Sequence, residues 1–217
     1  MKRSRESVVR SQNTGARWVM AALVCWPVIS DAQVICALGA GGANYKAAGD
    51  QRPSADALEL TARANAAVKA ICGTNCPQVV LFRNATAANL MLIADGGRAK
   101  VVYAPQVFTA AYDHYGDAGL VALLAHVLGH ALDDAIGAAW IEKGWTSEVR
   151  ADAWAGCMLA KASLADGDVL AALGALAGYP SPGHAGWGVR LAAVRSGYGH
   201  CGGKGALGAG TNAGAAR

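Results

Sequence analysis

Two histidines, His126 and His130, stand four residues apart in the apolar stretch AHVLGH at residues 125–130. Side chains at this spacing on an α-helix lie one turn above the other on the same face, so both imidazoles can bind one metal ion. The surrounding sequence predicts a helix over Ala118 to about Ile136 that is apolar on most sides, which is typical of a helix in the interior. Gly129, between the histidines, would let another backbone or a substrate approach closely.

The next predicted helix, from about Glu148 to Ala162, carries Glu148 and Asp152 one turn apart on one face. An antiparallel arrangement of the two helices would bring the Glu148 carboxylate beside both histidines as a third ligand. Asp152 could then hydrogen-bond the far ring nitrogen of a ligand histidine and fix its tautomer. Two histidines, one glutamate and a water form a catalytic-type zinc sphere with an open fourth position, so the sequence predicts a Zn²⁺ site.

Val127 occupies the position directly after the first histidine. In hydrolytic zinc enzymes with this histidine spacing, that residue is a glutamate that takes the proton from the metal-bound water. Valine can neither accept nor deliver a proton, and general acid–base catalysis typically contributes about 10²–10⁴-fold. Asp133 and Asp134 follow His130, but they are expected to form a solvated helix end. The pattern therefore predicts metal binding with impaired hydrolysis.

These residues resemble the zinc site of the gluzincin metallopeptidases of the CAAX prenyl protease and heat-shock protease X group, particularly their small exported soluble members. The family pairs HExxH with a downstream ExxxD. The matching residues here are His126, His130, Glu148 and Asp152. In both cases a helix of small residues follows, seen here as AGC at residues 155–157. The resemblance implies zinc as the cofactor and a peptide or protein as the substrate.

Weaker matches flank this core. A late His-Pro and Arg element of the family corresponds to His184 and Arg190, with Ala185 in place of the proline, which makes His184 a candidate transition-state stabiliser. Asn89 resembles the asparagine that precedes the family's active-site strand. The resemblance covers roughly residues 54–200 and implies that the strand Lys100–Tyr103 edges the groove beside the histidines.

The wider pattern predicts an α+β fold, mostly helical, with a small three-stranded sheet beside the helix of the two histidines. Ser54 is a favourable N-cap for a helix that Gly73 ends, and Ser147 is expected to cap the helix of Glu148. A short helical piece should start at Pro105, and Asp117 should cap the helix that follows. The predicted strands are Val79–Phe82, Leu90–Ala94 and Lys100–Tyr103, and the predicted late helices are Asp168–Ala177 and Trp187–Arg195.

The first part of the chain has the pattern of a secretory signal. Five basic residues precede an apolar run at residues 18–29, which is too short to span a bilayer comfortably, and a small-x-small motif ends at Ala32. We expect residues 1–32 to be a signal peptide cleaved after Ala32, with an uncleaved N-terminal anchor as the alternative, and the protein to be secreted or periplasmic. Residues 33–53 are expected to be irregular, 54–201 to form the metallopeptidase-like domain, and 202–217 to be a disordered tail.

Net charge and cysteine content bear on two further properties, nucleic-acid binding and disulfide formation. The formal net charge of +4 derives largely from the predicted signal, and no basic stripe remains to support nucleic-acid binding. Five cysteines lie beyond the signal, and an exported chain with scattered cysteines favours disulfides, with one cysteine free or intermolecular. Cys157 with Cys201 and Cys72 with Cys76 are the candidate pairs, although the spacing leaves the connectivity open.

Three functional interpretations follow. The first is an exported zinc-binding, metallopeptidase-like protein that is catalytically impaired because the general base is absent. The second is a non-catalytic peptide- or protein-binding module on the gluzincin fold, and the third is an active zinc peptidase with an unrecognised base. The presence of Glu148 and Asp152 favours retention of the metal. The substrate or partner stays unidentified, no membrane span is expected after signal cleavage, and His114 and His200 receive no role.

Overall fold

The structure is a computed structural model that describes residues 34–38, 44–73, 76–77, 79–95, 98–162, 164–180, 183–205 and 207. These residues form four strands and five α-helices. The α+β fold predicted from the sequence is confirmed. The predicted signal peptide and most of the predicted tail, residue 206 and residues 208–217, lie outside the described residues. The elements, in chain order, are β1 Val34–Leu38, α1 Ala55–Cys72, β2 Val79–Arg83, β3 Leu90–Asp95, β4 Arg98–Tyr103, α2 Pro105–Ile136, α3 Ser147–Lys161, α4 Asp166–Gly178 and α5 Trp187–His200.

The sheet has the order β1-β3-β4-β2. Strand β3 pairs antiparallel with both β1 and β4, whereas β2 pairs parallel with β4. The three predicted strands are present, but the expectation of an irregular segment at 33–53 is wrong for Val34–Leu38. This short apolar run is extended because its backbone pairs with a distant strand, Cys36 lying opposite Leu92. Strands β1 and β2 are the two edges of the sheet, and β4 lies between β3 and β2.

Local signals set the ends of the helices. The Ser54 hydroxyl accepts a hydrogen bond from the amide of Ala57 (3.3 Å) and caps α1, and Gly73 ends that helix with a φ of +58°. The two helical pieces predicted after Pro105 form α2, interrupted at Gly116 where φ is +63°. Thr146, rather than the expected Ser147, caps α3 by accepting from the amide of Val149.

Helix α3 packs against both α2 and α5. The small-residue stretch of α3 has a clear function there, since a Cβ at Gly156 would collide with the Val194 carbonyl of α5, and one at Gly197 would collide with the Ala153 carbonyl of α3. Because these two glycines have no side chain, the backbones of α3 and α5 are in direct contact. A disulfide between Cys157 and Cys201 links α3 to the end of α5.

The second expected disulfide, Cys72–Cys76, closes the end of α1. Both candidate pairings are confirmed, and Cys36 of β1 is the free, buried cysteine of the described residues. Disulfides of this kind are compatible with an oxidising compartment. By length and composition, α2 is the one described helix that could cross a membrane (mean hydropathy 1.4), but 72% of its most apolar window is buried inside the protein, as in a core helix.

Candidate metal centre

The two histidines of α2 lie inside the protein, with 0% of His126 and 6% of His130 exposed. Their rings are 5.1 Å apart between centroids, as expected one helical turn apart. The carboxylate of Glu148 on α3 reaches both rings, and its Oε2 atom lies 3.2 Å from Nε2 of His126 and 3.3 Å from Nε2 of His130. The three predicted ligands therefore come together.

Close contact between α2 and α3 places Glu148 there. Gly129 faces the α3 backbone, and a Cβ at this position would lie 2.5 Å from the carbonyl oxygen of Ala151. The approaching backbone foreseen at Gly129 is thus that of α3.

An ion pair also joins these helices. Arg150 donates to both carboxylate oxygens of Asp133 at 2.8 and 2.7 Å, and the Trp154 indole donates to the same group. The expected solvated helix end is therefore wrong for Asp133, whose side chain is only 19% exposed. Asp134 is exposed. Asp133 thus holds the helices together, and its paired carboxylate is a poor candidate for a replacement base.

Asp152 makes the predicted contact with a histidine. Nδ1 of His126 donates to its Oδ1 atom at 2.9 Å, and both side chains are fully buried. The other carboxylate oxygen accepts from Nε of Arg190 at 2.8 Å, while the guanidinium also donates to the Leu176 carbonyl of α4 at 2.7 Å. Arg190 was matched from the sequence only as a late family residue, yet it neutralises the buried carboxylate that orients His126.

His184 lies at the centre as well. Its side chain is fully buried, and its Nε2 atom is 2.5 Å from Oε2 of Glu148 and 3.2 Å from Nε2 of His126. The first separation is that of a short, charge-assisted hydrogen bond. His184 therefore orients the Glu148 carboxylate beside His126.

Cys36 also belongs to this cluster of donor atoms, although it is not among the ligands predicted from the sequence. Strand β1 brings its Sγ atom to 3.9 Å from Nε2 of His126. One donor atom from each of Cys36, His126, His130 and Glu148 lies within 4.8 Å of the other three. This cluster of four could hold a metal ion. The odd number of cysteines was the available signal, but the histidine-rich helix and β1 are too far apart in sequence for spacing to connect them.

The electrostatics of the cluster suit cation binding. Burial raises the pKa of the Glu148 carboxyl and the Cys36 thiol, but the neighbouring histidines, which stabilise the anionic forms, outweigh burial, so both pKa values are lowered. Burial lowers the pKa of His126, yet hydrogen bonds to Asp152, Cys36 and Glu148 raise it well above its usual value. The imidazoles and the acidic donors thus stabilise one another's charged forms, and a metal cation would replace the imidazole protons.

One buried atom stands out. Nε2 of His130 has no hydrogen-bond partner among the described residues. It lies 3.3 Å from Glu148, but without the orientation of a hydrogen bond. Buried polar nitrogens are rarely left unsatisfied, and an absent ion is one recognised reason.

The remaining predicted residues take other positions. Val127 is fully buried in the core. Asn89 directly precedes β3 in a left-handed conformation with φ of +47°. His114 is exposed and meets the edge of the Tyr115 ring, and His200 stacks on Trp140. The last two belong to neither the donor cluster nor its hydrogen-bond partners.

Comparisons of this chain with protein-family models, curated proteins and solved structures found no match. The fold and the site themselves define an α+β protein with a buried Cys/His/His/Glu cluster that could bind a metal ion.

Proposed function

We propose that this protein is an exported zinc-binding protein of the gluzincin metallopeptidase type in which peptide hydrolysis is impaired because Val127 replaces the general base. The observation that carries the proposal is the convergence of His126, His130 and Glu148 from two helices onto one buried point.

The spacing of these donors fits zinc. A tetrahedral zinc ion with bonds of about 2.0–2.1 Å separates neighbouring nitrogen and oxygen ligands by about 3.3 Å. The two histidine–Glu148 separations are 3.2 and 3.3 Å. A metal would also satisfy the buried Nε2 atom of His130. Imidazole with carboxylate is a donor set that zinc commonly takes.

The supporting contacts have the pattern found around zinc ligands. Donation from Nδ1 of His126 to Asp152 leaves Nε2 to face the other donors, which is how a carboxylate fixes the tautomer of a ligand histidine. Arg190 and Asp152 are both buried, and the guanidinium compensates the charge of the carboxylate. The Asp152–Arg190 pair therefore supports metal binding rather than proton transfer.

Zinc, when bound in such a site, supplies Lewis acidity and lowers the pKa of a bound water. This chain places no proton acceptor at the position after the first histidine, because Val127 is apolar and fully buried. His184 is hydrogen-bonded to Glu148, which favours a positioning role over that of a free base. Metal binding without efficient proton transfer is the result.

Zinc content tests the proposal. Protein purified without chelators should carry one zinc per chain. Glu148→Gln should lose zinc under the same conditions, and the matched control Glu142→Gln, an exposed glutamate before α3, should keep it. A parent protein without stoichiometric zinc would contradict the proposal and favour the non-catalytic binding module.

Hydrolysis of an unstructured protein substrate tests the second part of the proposal, that peptide hydrolysis is impaired. The parent should cleave at background rate. Val127→Glu should still bind zinc and should be less stable because it buries a carboxylate. It should show higher zinc-dependent cleavage only where water can reach a coordination position on the metal. Robust cleavage by the parent that His126→Ala abolishes would contradict the assigned impairment.

A further inference from the structure

We infer that Cys36 is the fourth protein ligand of this centre and that its thiolate fills the coordination position that a hydrolytic zinc enzyme leaves for water. The inference rests on the proposed function, since it assumes that His126, His130 and Glu148 bind zinc. It changes the character of the site from open to closed, which is the distinction between catalytic and structural zinc.

Geometry supports this assignment. With a zinc–sulfur bond of about 2.3 Å and a zinc–nitrogen bond of about 2.0–2.1 Å, tetrahedral ligands of these two types lie about 3.6 Å apart. The Sγ atom of Cys36 lies 3.9 Å from Nε2 of His126, close to that separation. Cys36 is 3% exposed, so its sulfur faces the cluster rather than solvent.

Charge favours it as well. Zinc bound by two neutral histidines and Glu148 alone would leave a net charge of +1 in a buried site. A Cys36 thiolate reduces that charge to zero, and the neighbouring Asp152 is already neutralised by Arg190. Because an uncompensated buried charge is costly, the four-ligand site is the more stable arrangement.

Two other roles for this thiol fit less well. The other cysteines of the described residues form the disulfides Cys72–Cys76 and Cys157–Cys201, so Cys36 has no partner there for a third bond. Cys36, His126 and Asp152 also lie in the order of a thiol, a base and an orienting carboxylate. A nucleophile must reach a substrate, however, and 3% exposure does not allow this.

The sulfur–metal bond would also anchor β1. This edge strand pairs only with β3 in the sheet, and a metal would join it to α2 and α3. Without the bond, the strand depends on a few backbone hydrogen bonds and on its buried side chains Cys36 and Leu38. Metal binding should therefore protect the amides of Val34–Leu38 from hydrogen exchange more than those of β2.

Cobalt substitution tests the inference. Co²⁺ in the parent protein should show intense visible absorption from a tetrahedral site together with a thiolate-to-cobalt charge-transfer band in the near ultraviolet. Cys36→Ser should lose the charge-transfer band and bind cobalt at least about 10-fold more weakly. The matched control, Cys72→Ser with Cys76→Ser, removes two sulfurs away from the centre and should keep the band.

Zinc protection of the parent protein gives a second measurement that needs no variant. Because Cys36 is buried, iodoacetamide can label it only through local opening of β1. This labelling, located by peptide mass spectrometry, should be at least about 10-fold slower with zinc than after chelation. Visible cobalt absorption without the charge-transfer band, or labelling that zinc does not slow, would overturn the role of Cys36 and leave the proposed function intact. Failure of the parent to bind either metal would overturn the proposed function itself.

Discussion

Replacing Gly129 by alanine should damage the centre without touching any donor atom. The new Cβ would lie 2.5 Å from the Ala151 carbonyl oxygen and 3.0 Å from its Cα. Both are backbone atoms that cannot rotate away, so α3 must shift by roughly 0.5–1 Å to restore ordinary contact. Overpacking of this kind costs about 1–3 kcal/mol of unfolding free energy.

The same shift would move Glu148 away from the two histidines, because Glu148 lies one helical turn before Ala151. Zinc affinity should then fall by about 10- to 100-fold, or about 1.4–2.8 kcal/mol. Urea unfolding of the metal-free protein measures the first effect, and competition with a chromogenic zinc chelator measures the second.

Gly188→Ala is the matched control. Gly188 lies in α5, and a Cβ there would meet nothing within 4 Å. Alanine should leave zinc affinity unchanged and raise stability by about 0.5–1 kcal/mol through helix propensity. If Gly129→Ala behaved like Gly188→Ala in both assays, close contact between α2 and α3 would not position the site.

Three further results are expected. Zinc binding at neutral pH should release at least about one proton, because the raised pKa of His126 favours the protonated imidazole in the metal-free protein and the ligand form is neutral. Zinc affinity should therefore fall with falling pH. Calorimetric heats of zinc binding that do not depend on the buffer would contradict this. Asp152→Asn should cost about 3–5 kcal/mol in urea unfolding because it leaves the Arg190 guanidinium buried without its counter-charge, and a loss under about 1 kcal/mol would contradict it. Replacing Cys157 and Cys201 by alanine should cost about 4 kcal/mol from the 44-residue separation, whereas unchanged stability under oxidising conditions would count against that bond.

Local sequence signals predicted most of the helical framework. The Ser54 cap and Gly73 define α1, and Pro105 defines the start of α2. The turn-spaced pairs on two apolar helices predicted which side chains would meet, because helical periodicity alone decides which residues share a face. A close approach of another backbone or a substrate at Gly129 could be expected as well, because glycine has no side chain to prevent it.

Contacts between distant segments could not be predicted in the same way. Cys36 reaches the histidines through the pairing of β1 with β3, and nothing within five residues of strand sequence specifies that partner. The pairing of Arg190 with Asp152 depends on how α5 packs on α3, where glycines allow the backbones to touch. Such contacts depend on the tertiary fold rather than on local propensity.

Anomalous diffraction at the zinc absorption edge, from crystals grown without added chelator, tests the central claim most directly. The account predicts one strong anomalous peak per chain, about 2.0–2.1 Å from Nε2 of His126, from Nε2 of His130 and from a carboxylate oxygen of Glu148. Absence of a peak at this position, with the three side chains still in contact through hydrogen bonds alone, would contradict the assignment of a zinc centre.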